Sequence, residues 1–331
     1  LEFGSIALAT FASPPVLFFI LGLAAAFIRS DLKFPEAFAK GLSLFLIMAI
    51  GFKGGAEMAR ASLGDIVPVL LAGIVLSASL PVLSFGLLRV TTALPRVDMA
   101  AIAAHYGSIS IVTFIAATDA ARLLDLPGDG AMVAVAAAME APAILTGLLL
   151  AGAAGRTGGL KLVEPLTNGS IVLLLGAFVI GWVSGDAGMT AVSPLFVDAF
   201  RGVLCLFLLD MGLIAGRGLV EHGRRMKPGV VLHGLYMPLL SAGVALGVAA
   251  LIGLTPGNGA LIGLTPGNGA LLMTLAASAS YIAVPAAMRL ALPDAKPAMS
   301  LTLSLGITFP FNLLLGIPLY FTLAQLVLGA A

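Results

Sequence analysis

Two serine pairs spaced as S-x-S, Ser108/Ser110 and Ser278/Ser280, sit inside long apolar runs of this 331-residue chain, as does a carboxylate, Glu140. Serine hydroxyls donate to a bound anion or accept at a cation. Each pair stands in a stretch that resists helix formation: His105, Tyr106 and Gly107 lead into the first, and Tyr281 and then Pro285 follow the second. Glycine costs about 1 kcal/mol and proline about 3 kcal/mol relative to alanine inside a helix. Both runs are therefore predicted to unwind at their middle. Half-helix N-termini exposed in this way carry unpaired N–H groups and roughly half a unit of positive charge, which holds a small anion without burying a lysine. The alternative is that the serines serve close helix packing. The same S-x-S at matching places in two copies of a repeat favours a shared site.

Glu140 lies two residues before Pro142 in AMEAPAIL, and Thr308 lies two residues before Pro310 in GITFPFNLL. The prolines fall 34 and 32 positions beyond Ser108 and Ser278, so Glu140 corresponds to Thr308. A carboxylate in the middle of an apolar helix costs on the order of 3 kcal/mol on insertion scales, which makes it a functional candidate. Na⁺ beside it would neutralise the charge, with Thr308, Asn312 and Ser110 as further oxygen ligands. The alternative is a protonated or hydrogen-bonded structural glutamate. Asp210 in LFLLDMG is a second intramembrane acid, open to helix packing, subunit contact or ion binding. Lys53 and Glu57, four apart, are expected to pair at the interface. His105 reads as a packed histidine bonded to a neighbouring helix, with titration or coordination as the other option. His222 falls in a basic loop, and Cys205 in an apolar run, as a core cysteine without a partner for a disulfide in its own chain.

The elements that carry these residues are duplicated. LFLIMAIGFKGG at 44–55 returns as LFLLDMGLIAG at 206–216. Gly51 precedes Ser108 by 57 positions and Gly212 precedes Ser278 by 66, the longer interval containing LIGLTPGNGA twice in tandem at 251–270. The extra decamer reads as a late local duplication or an artefact and is assigned no function. The leading LEFGS reads as a cloning scar, and no cleavable signal is expected ahead of the first apolar run.

With 60% hydrophobic and 10% charged residues and a mean hydropathy of +1.12, the chain is predicted to be an all-α integral membrane protein. The weak alternation of a β-barrel is absent. Ten apolar stretches are expected near 14–29, 37–59, 65–88, 98–118, 130–153, 168–185, 194–216, 228–253, 268–291 and 298–329. The loops after odd-numbered spans hold Arg29, Lys33, Arg89, Arg96, Arg156, Lys161, Arg217, Arg224, Arg225, Lys227, Arg289 and Lys296, while the opposite loops hold little beyond Arg60 and Arg122. The basic side is expected to be cytoplasmic, with both termini outside. Five spans per copy then give two inverted repeats, at 14–153 and 167–329, joined by a cytoplasmic linker at 154–166, the plan of secondary transporters. A net charge of +1 argues against a nucleic-acid partner, and no Walker motif points to ATP. No arrangement of His, Cys, Asp and Glu has metal-ligand spacing, and the serines have no placed base and acid, so neither a metal cofactor nor an enzyme is expected.

The motifs GFKGG at 51–55, GSISIVTF at 107–114, MEAPA at 139–143, SPLFVDAFRGVLCLFLLDMG at 193–212, AASASYIAVPAAMR at 276–289 and the closing GIPLYFTLAQLVLG resemble the sodium-dependent bicarbonate transporter family. The resemblance covers about residue 14 to residue 329. It implies a homotrimer of ten-helix protomers in a bacterial inner membrane. Each protomer would have a gate domain of spans 1, 2, 6 and 7 and a core domain of spans 3–5 and 8–10. The fourth and ninth spans would cross in the core, as in bile-acid and sodium/proton exchanger folds, and bicarbonate and Na⁺ would bind near the crossing in an elevator-type cycle. Carried over, the first substrate loop falls on Ser108, Ile109 and Ser110, with Gly107 before them, and the second on Ser278, Ala279, Ser280 and Tyr281; Glu140 matches an acidic family position before the proline, and Thr308 its partner. Cyanobacterial members carry SSSDISGPP where this chain has SASYIAVPA, so Tyr281 stands where they have an aspartate, a cation contact. The short 154–166 linker weighs against a PII-like regulatory partner. Two other functions stay open: a cation/proton exchanger using Glu140, and a sensor or scaffold that binds an anion without moving it.

Overall fold

The computed structural model describes residues 12–59, 63–152, 169–223, 226–253, 264–281 and 297–329, together with Val284, Pro285, Met288, Leu292 and Ala295. The leading LEFGS, the 154–166 linker, most of the first decamer copy, the Glu57 side chain and the basic residues Arg60, Arg156, Lys161, Arg224, Arg225, Arg289 and Lys296 lie outside the described residues.

Backbone groups in an apolar medium must be satisfied within the chain, and here they are satisfied by helices; no strand occurs among the described residues. The helices are α1 (Pro14–Phe27), α2 (Glu36–Met58), α3 (Leu63–Thr91), α4 (Arg96–His105), α5 (Ile111–Leu123), α6 (Ala131–Ala138), α7 (Glu140–Ala151), α8 (Gly169–Ser193), α9 (Phe200–His222), α10 (Pro228–Gly253), α11 (Pro266–Ala277), α12 (Pro297–Leu303) and α13 (Ile317–Leu328). Among the described residues, seven helical stretches are long and apolar enough to cross a membrane: Glu36–Ala56, Val67–Thr91, Ala131–Ala151, Val172–Asp198, Phe200–His222, Pro228–Leu251 and Met299–Leu328. Helix α1, with 14 residues, rises about 21 Å. The fourth and ninth apolar stretches are each interrupted, at Tyr106–Ser110 and after Ala277.

The packing has two groups. In one, α1 lies along α9 and α2 along α8, with α9 also meeting α2; in the other, α3 packs on α4, α7 and α10, and α11 packs on α10 and α13. The GxxxG faces repeated in the sequence make the closest of these crossings. A Cβ on Gly55 would fall 1.9 Å from the Phe178 carbonyl oxygen of α8, and one on Gly212 would fall 2.2 Å from the Phe19 carbonyl oxygen of α1. Small residues let membrane helices meet backbone to backbone. Leucine at Gly55 must push α2 and α8 apart and is expected to abolish the folded monodisperse peak in size-exclusion chromatography. The outward faces are apolar, as Val75, Val90, Ile180 and Val183 show, while Ser77, Ser84, His233 and Ser241 are turned inward.

Helix limits differ from the sequence reading in three places. Helical structure continues past 185, with a kink at Gly185 (φ 55°, ψ −146°), through a π turn at Pro194–Asp198 and into α9. Helix α9 accordingly begins and ends later than expected, and His222 belongs to its last turn, not to a loop. The tenth run widens into π turns at Ser304–Thr308 and Asn312–Gly316. Each precedes a proline, Pro310 or Pro318, whose missing N–H breaks the regular bonding ladder. The second decamer copy opens α11, where Thr265 accepts from Asn268 N–H at 3.2 Å and Pro266 occupies the first turn.

Candidate functional site

The two interruptions meet. Helix α4 ends at His105, and Ser110, in extended conformation, caps α5 by accepting from Thr113 N–H at 3.2 Å. Helix α11 ends at Ala277, and Ser280 accepts from Val284 N–H at 3.4 Å. The second serine of the first S-x-S is thus an N-cap. Ser110 N–H donates to Ser278 Oγ at 2.8 Å, and Ser280 N–H donates to the His105 carbonyl at 2.9 Å, so each interruption completes the backbone of the other. Ser278 passes its own proton to the Leu275 carbonyl at 2.8 Å. The His105 ring bonds through Nδ1 to the Ser280 carbonyl and lies 3.1 Å from Ser304 Oγ, the packed and hydrogen-bonded role expected for it. Gly107 lies against α3, where a Cβ would fall 2.3 Å from Pro81 Cγ.

A pocket opens where the interruptions face α2 and α8. Ile109, Ser110 and Ile111 line it from the first interruption, Ser280 and Tyr281 from the second, Glu140 from α7, and Ile47 and Leu174 form the apolar wall opposite. The space open to the centre of a water-sized sphere is about 20 Å³, enough for a water or a small ion. Glu140 is 8% exposed, and among the described residues its carboxylate has no hydrogen bond or ion pair. It is placed from behind by Ser77 of α3, whose hydroxyl donates to the Met139 carbonyl and accepts from Ala143 N–H at 3.2 Å. Ser108 Oγ and the Tyr281 hydroxyl are buried without a partner among the described residues, Tyr281 setting its ring edge against Phe309 at 5.7 Å. Ala279 is buried at the second interruption beside them.

Thr308 and Asn312 do not line this pocket. Thr308 donates to the Gly234 carbonyl at 2.9 Å and accepts from the Tyr106 hydroxyl at 2.6 Å. Asn312 donates to the Ala277 carbonyl at 2.9 Å and accepts from the Tyr320 hydroxyl at 2.8 Å. Both therefore brace the interruptions. The structure brings together Ser110, Ser280, Tyr281 and Glu140 and holds Thr308 and Asn312 apart from them. Asp210 is buried in α9 away from the pocket, with Oδ2 unpartnered among the described residues, and Cys205 is a partly buried free thiol on the same helix. Lys53 is buried on α2 with Nζ 4.8 Å above the Phe200 ring. Sequence reasoning missed Ser77, Tyr106 and the Ser84–His233–Tyr236 chain, bonded at 2.9 Å and 2.8 Å. A polar residue inside an apolar helix was their signal, but spacing does not reveal which helix receives it.

Long apolar helices around a buried cluster of hydroxyls, a capped half-helix end and a carboxylate define a multi-pass membrane protein with a polar interior. The chain belongs to the Na⁺-dependent bicarbonate transporter superfamily, whose family model matches residues 14–325. It is a transport protein and not an enzyme. Among curated proteins no match to the chain is found.

Proposed function

We propose that this protein is a Na⁺-coupled importer of bicarbonate or a related small anion, working by an elevator-type movement. The observation that carries the reading is the pocket in which both interruptions, the first at the capped N-terminus of α5, converge beside Glu140, whose carboxylate has no hydrogen bond or ion pair among the described residues. Half-helix N-termini attract an anion. The carboxylate repels it: two unit charges 4 Å apart interact by about 4 kcal/mol at an effective dielectric of 20. A cation that neutralises Glu140 removes that repulsion, so anion and Na⁺ bind favourably only together. Glu140 and Ser110 are the proposed Na⁺ ligands; Thr308 and Asn312 join them only by giving up their present hydrogen bonds. Gly107, Ser108, Ile109, Ser278, Ala279, Ser280 and Tyr281 form the anion loops, with Ser108 Oγ, unpartnered among the described residues, as a donor.

A ten-span inverted repeat is supported by the packing, because exchanging the halves maps α1 on α9 onto α8 on α2, α3 on α4 onto α10 on α11, and α4 on α7 onto α11 on α13. The first pair of contacts would be the gate and the others the core, with Ile47 and Leu174 presenting a smooth apolar surface for the core to slide against. In this reading the protein is a homotrimer of a bacterial inner membrane with both termini outside. The 154–166 linker, on which regulation by a PII-like protein turns, lies outside the described residues.

The test is uptake of radiolabelled bicarbonate into proteoliposomes with and without an inward Na⁺ gradient. Gradient-driven accumulation is expected. Saturable binding without accumulation under any gradient identifies a sensor instead, and a rise of luminal pH on Na⁺ addition without any anion identifies an exchanger.

A further inference from the structure

Asp119 and Arg201 join helices from the two groups of the packing. Asp119 stands on α5, which packs on α11 and α13, and Arg201 opens α9, which lies along α1. Arg201 Nε donates to Asp119 Oδ1 at 2.7 Å. The Asp119 side chain is 6% exposed and that of Arg201 53% exposed, so the acid is buried and the base reaches in from the surface. Beside the pair the two helices face each other across a cavity, with Ala116, Asp119 and Leu123 on the α5 side, Leu204 and Leu208 on the α9 side, and Val16 of α1 next to them. A carboxylate among aliphatic side chains keeps its charge at tolerable cost only beside a cation.

Asp119 is the one acid of α5, and Arg201 the one basic residue in 194–216. A turn of α9 beyond Arg201 come Leu204 and Cys205, and a further turn on, Leu208; a turn before it stand Val197 and Asp198. A shift of α5 along α9 by one turn, about 5.4 Å, therefore takes Asp119 from its guanidinium to apolar side chains in one direction and to another acid in the other. The ion pair is specific to one register of these two helices. In the proposed elevator movement α5 travels with the core while α9 stays in the gate, so that register changes in every passage.

We propose that the Asp119–Arg201 pair is a latch between core and gate, which holds the register seen here and opens whenever the core moves. The inference rests on the transport reading above and adds to it the groups that fix one end of the movement. Half exposure of Arg201 keeps the pair weak, which suits a contact made and broken in each cycle.

The test uses paired cysteines in a Cys205→Ser background, because Cys205 lies one turn from Arg201. A short bis-methanethiosulfonate reagent that bridges Asp119→Cys/Arg201→Cys is expected to lower Na⁺-driven bicarbonate uptake into proteoliposomes about tenfold or more, with recovery on reduction, while each single-cysteine variant keeps its untreated rate within about twofold. Leu123→Cys/Leu204→Cys repeats the measurement across the same cavity with the ion pair in place, and decides the question if the first pair does not elute as wild type. Bridged protein, identified by its intact mass, that transports as fast as the unbridged overturns the movement of α5 against α9 and the latch with it. The latch itself is read on the purified protein from how fast Leu123→Cys/Leu204→Cys is bridged. Adding Asp119→Asn is expected to slow bridging about threefold as the population leaves the latched register, and adding Arg201→Lys, which keeps the charge, to leave it near the parent rate. Equal bridging rates with and without Asp119→Asn overturn the latch. Absence of accumulation by wild type overturns the transport reading instead, whatever the bridging rates show.

Discussion

Glutamine in place of Glu140 is expected to lower Na⁺-driven anion accumulation by about 100-fold or more, the scale of a few kcal/mol lost between a cation and a carboxylate at close range. Glu140 lines the pocket with Ser110 and Ser280 and has no hydrogen-bond or ion-pair partner among the described residues, so its charge is left for a ligand. The substitution keeps shape and removes that charge. The melting temperature is expected to hold or rise, since an isolated carboxylate in an apolar interior costs on the order of 3 kcal/mol. Residual anion flux that no longer depends on Na⁺ completes the expected pattern. Uptake in Glu140→Gln that still follows the Na⁺ gradient at more than about a tenth of the wild-type rate removes Glu140 from the ion site.

The second large effect is that of Ser278→Ala. Ser278 Oγ accepts from Ser110 N–H at 2.8 Å and donates to the Leu275 carbonyl at 2.8 Å, in a fully buried position. Its loss orphans a backbone N–H at the join of the two interruptions, at a cost of about 1–3 kcal/mol. Both a lower melting temperature and at least tenfold slower uptake are expected. Ser108→Ala provides the contrast, because Ser108 Oγ has no partner among the described residues. Removing it is expected to leave the melting temperature unchanged while uptake falls. Equal melting curves for wild type and Ser278→Ala, measured on the purified protein, defeat the bracing role assigned to Ser278.

What the sequence displays plainly is what repeats or violates hydropathy. The interruptions at Gly107–Ser110 and Ser278–Ser280, the glycine faces at Gly51/Gly55 and Gly212/Gly216, and the carboxylate Glu140 all stand out against long apolar runs. The family followed from the same motifs. Partners were less legible. Motif spacing equates Glu140 with Thr308, yet one faces the pocket and the other is bonded to Gly234 and Tyr106, because equivalent positions in a duplicated chain need not have equivalent neighbours. Asn312 looked like a ligand, but Tyr320 and Ala277 already use its amide. Ser77, which carries no motif, is bonded to Met139 and Ala143 on either side of Glu140. The helical continuation past Gly185 was hidden because a glycine reads equally as an end and as a kink.

The cross-ties between the two interruptions also set a condition on biogenesis. Ser278 is synthesised 168 residues after Ser110. At about 5–20 residues per second the interval is roughly 8–34 s. Throughout it the Ser110 N–H and the His105 carbonyl have no counterpart yet made, so the first half must be kept waiting by water or by the insertion machinery. A nascent chain that stops short of Ser278 is chemically unfinished in a place that quality control can sense.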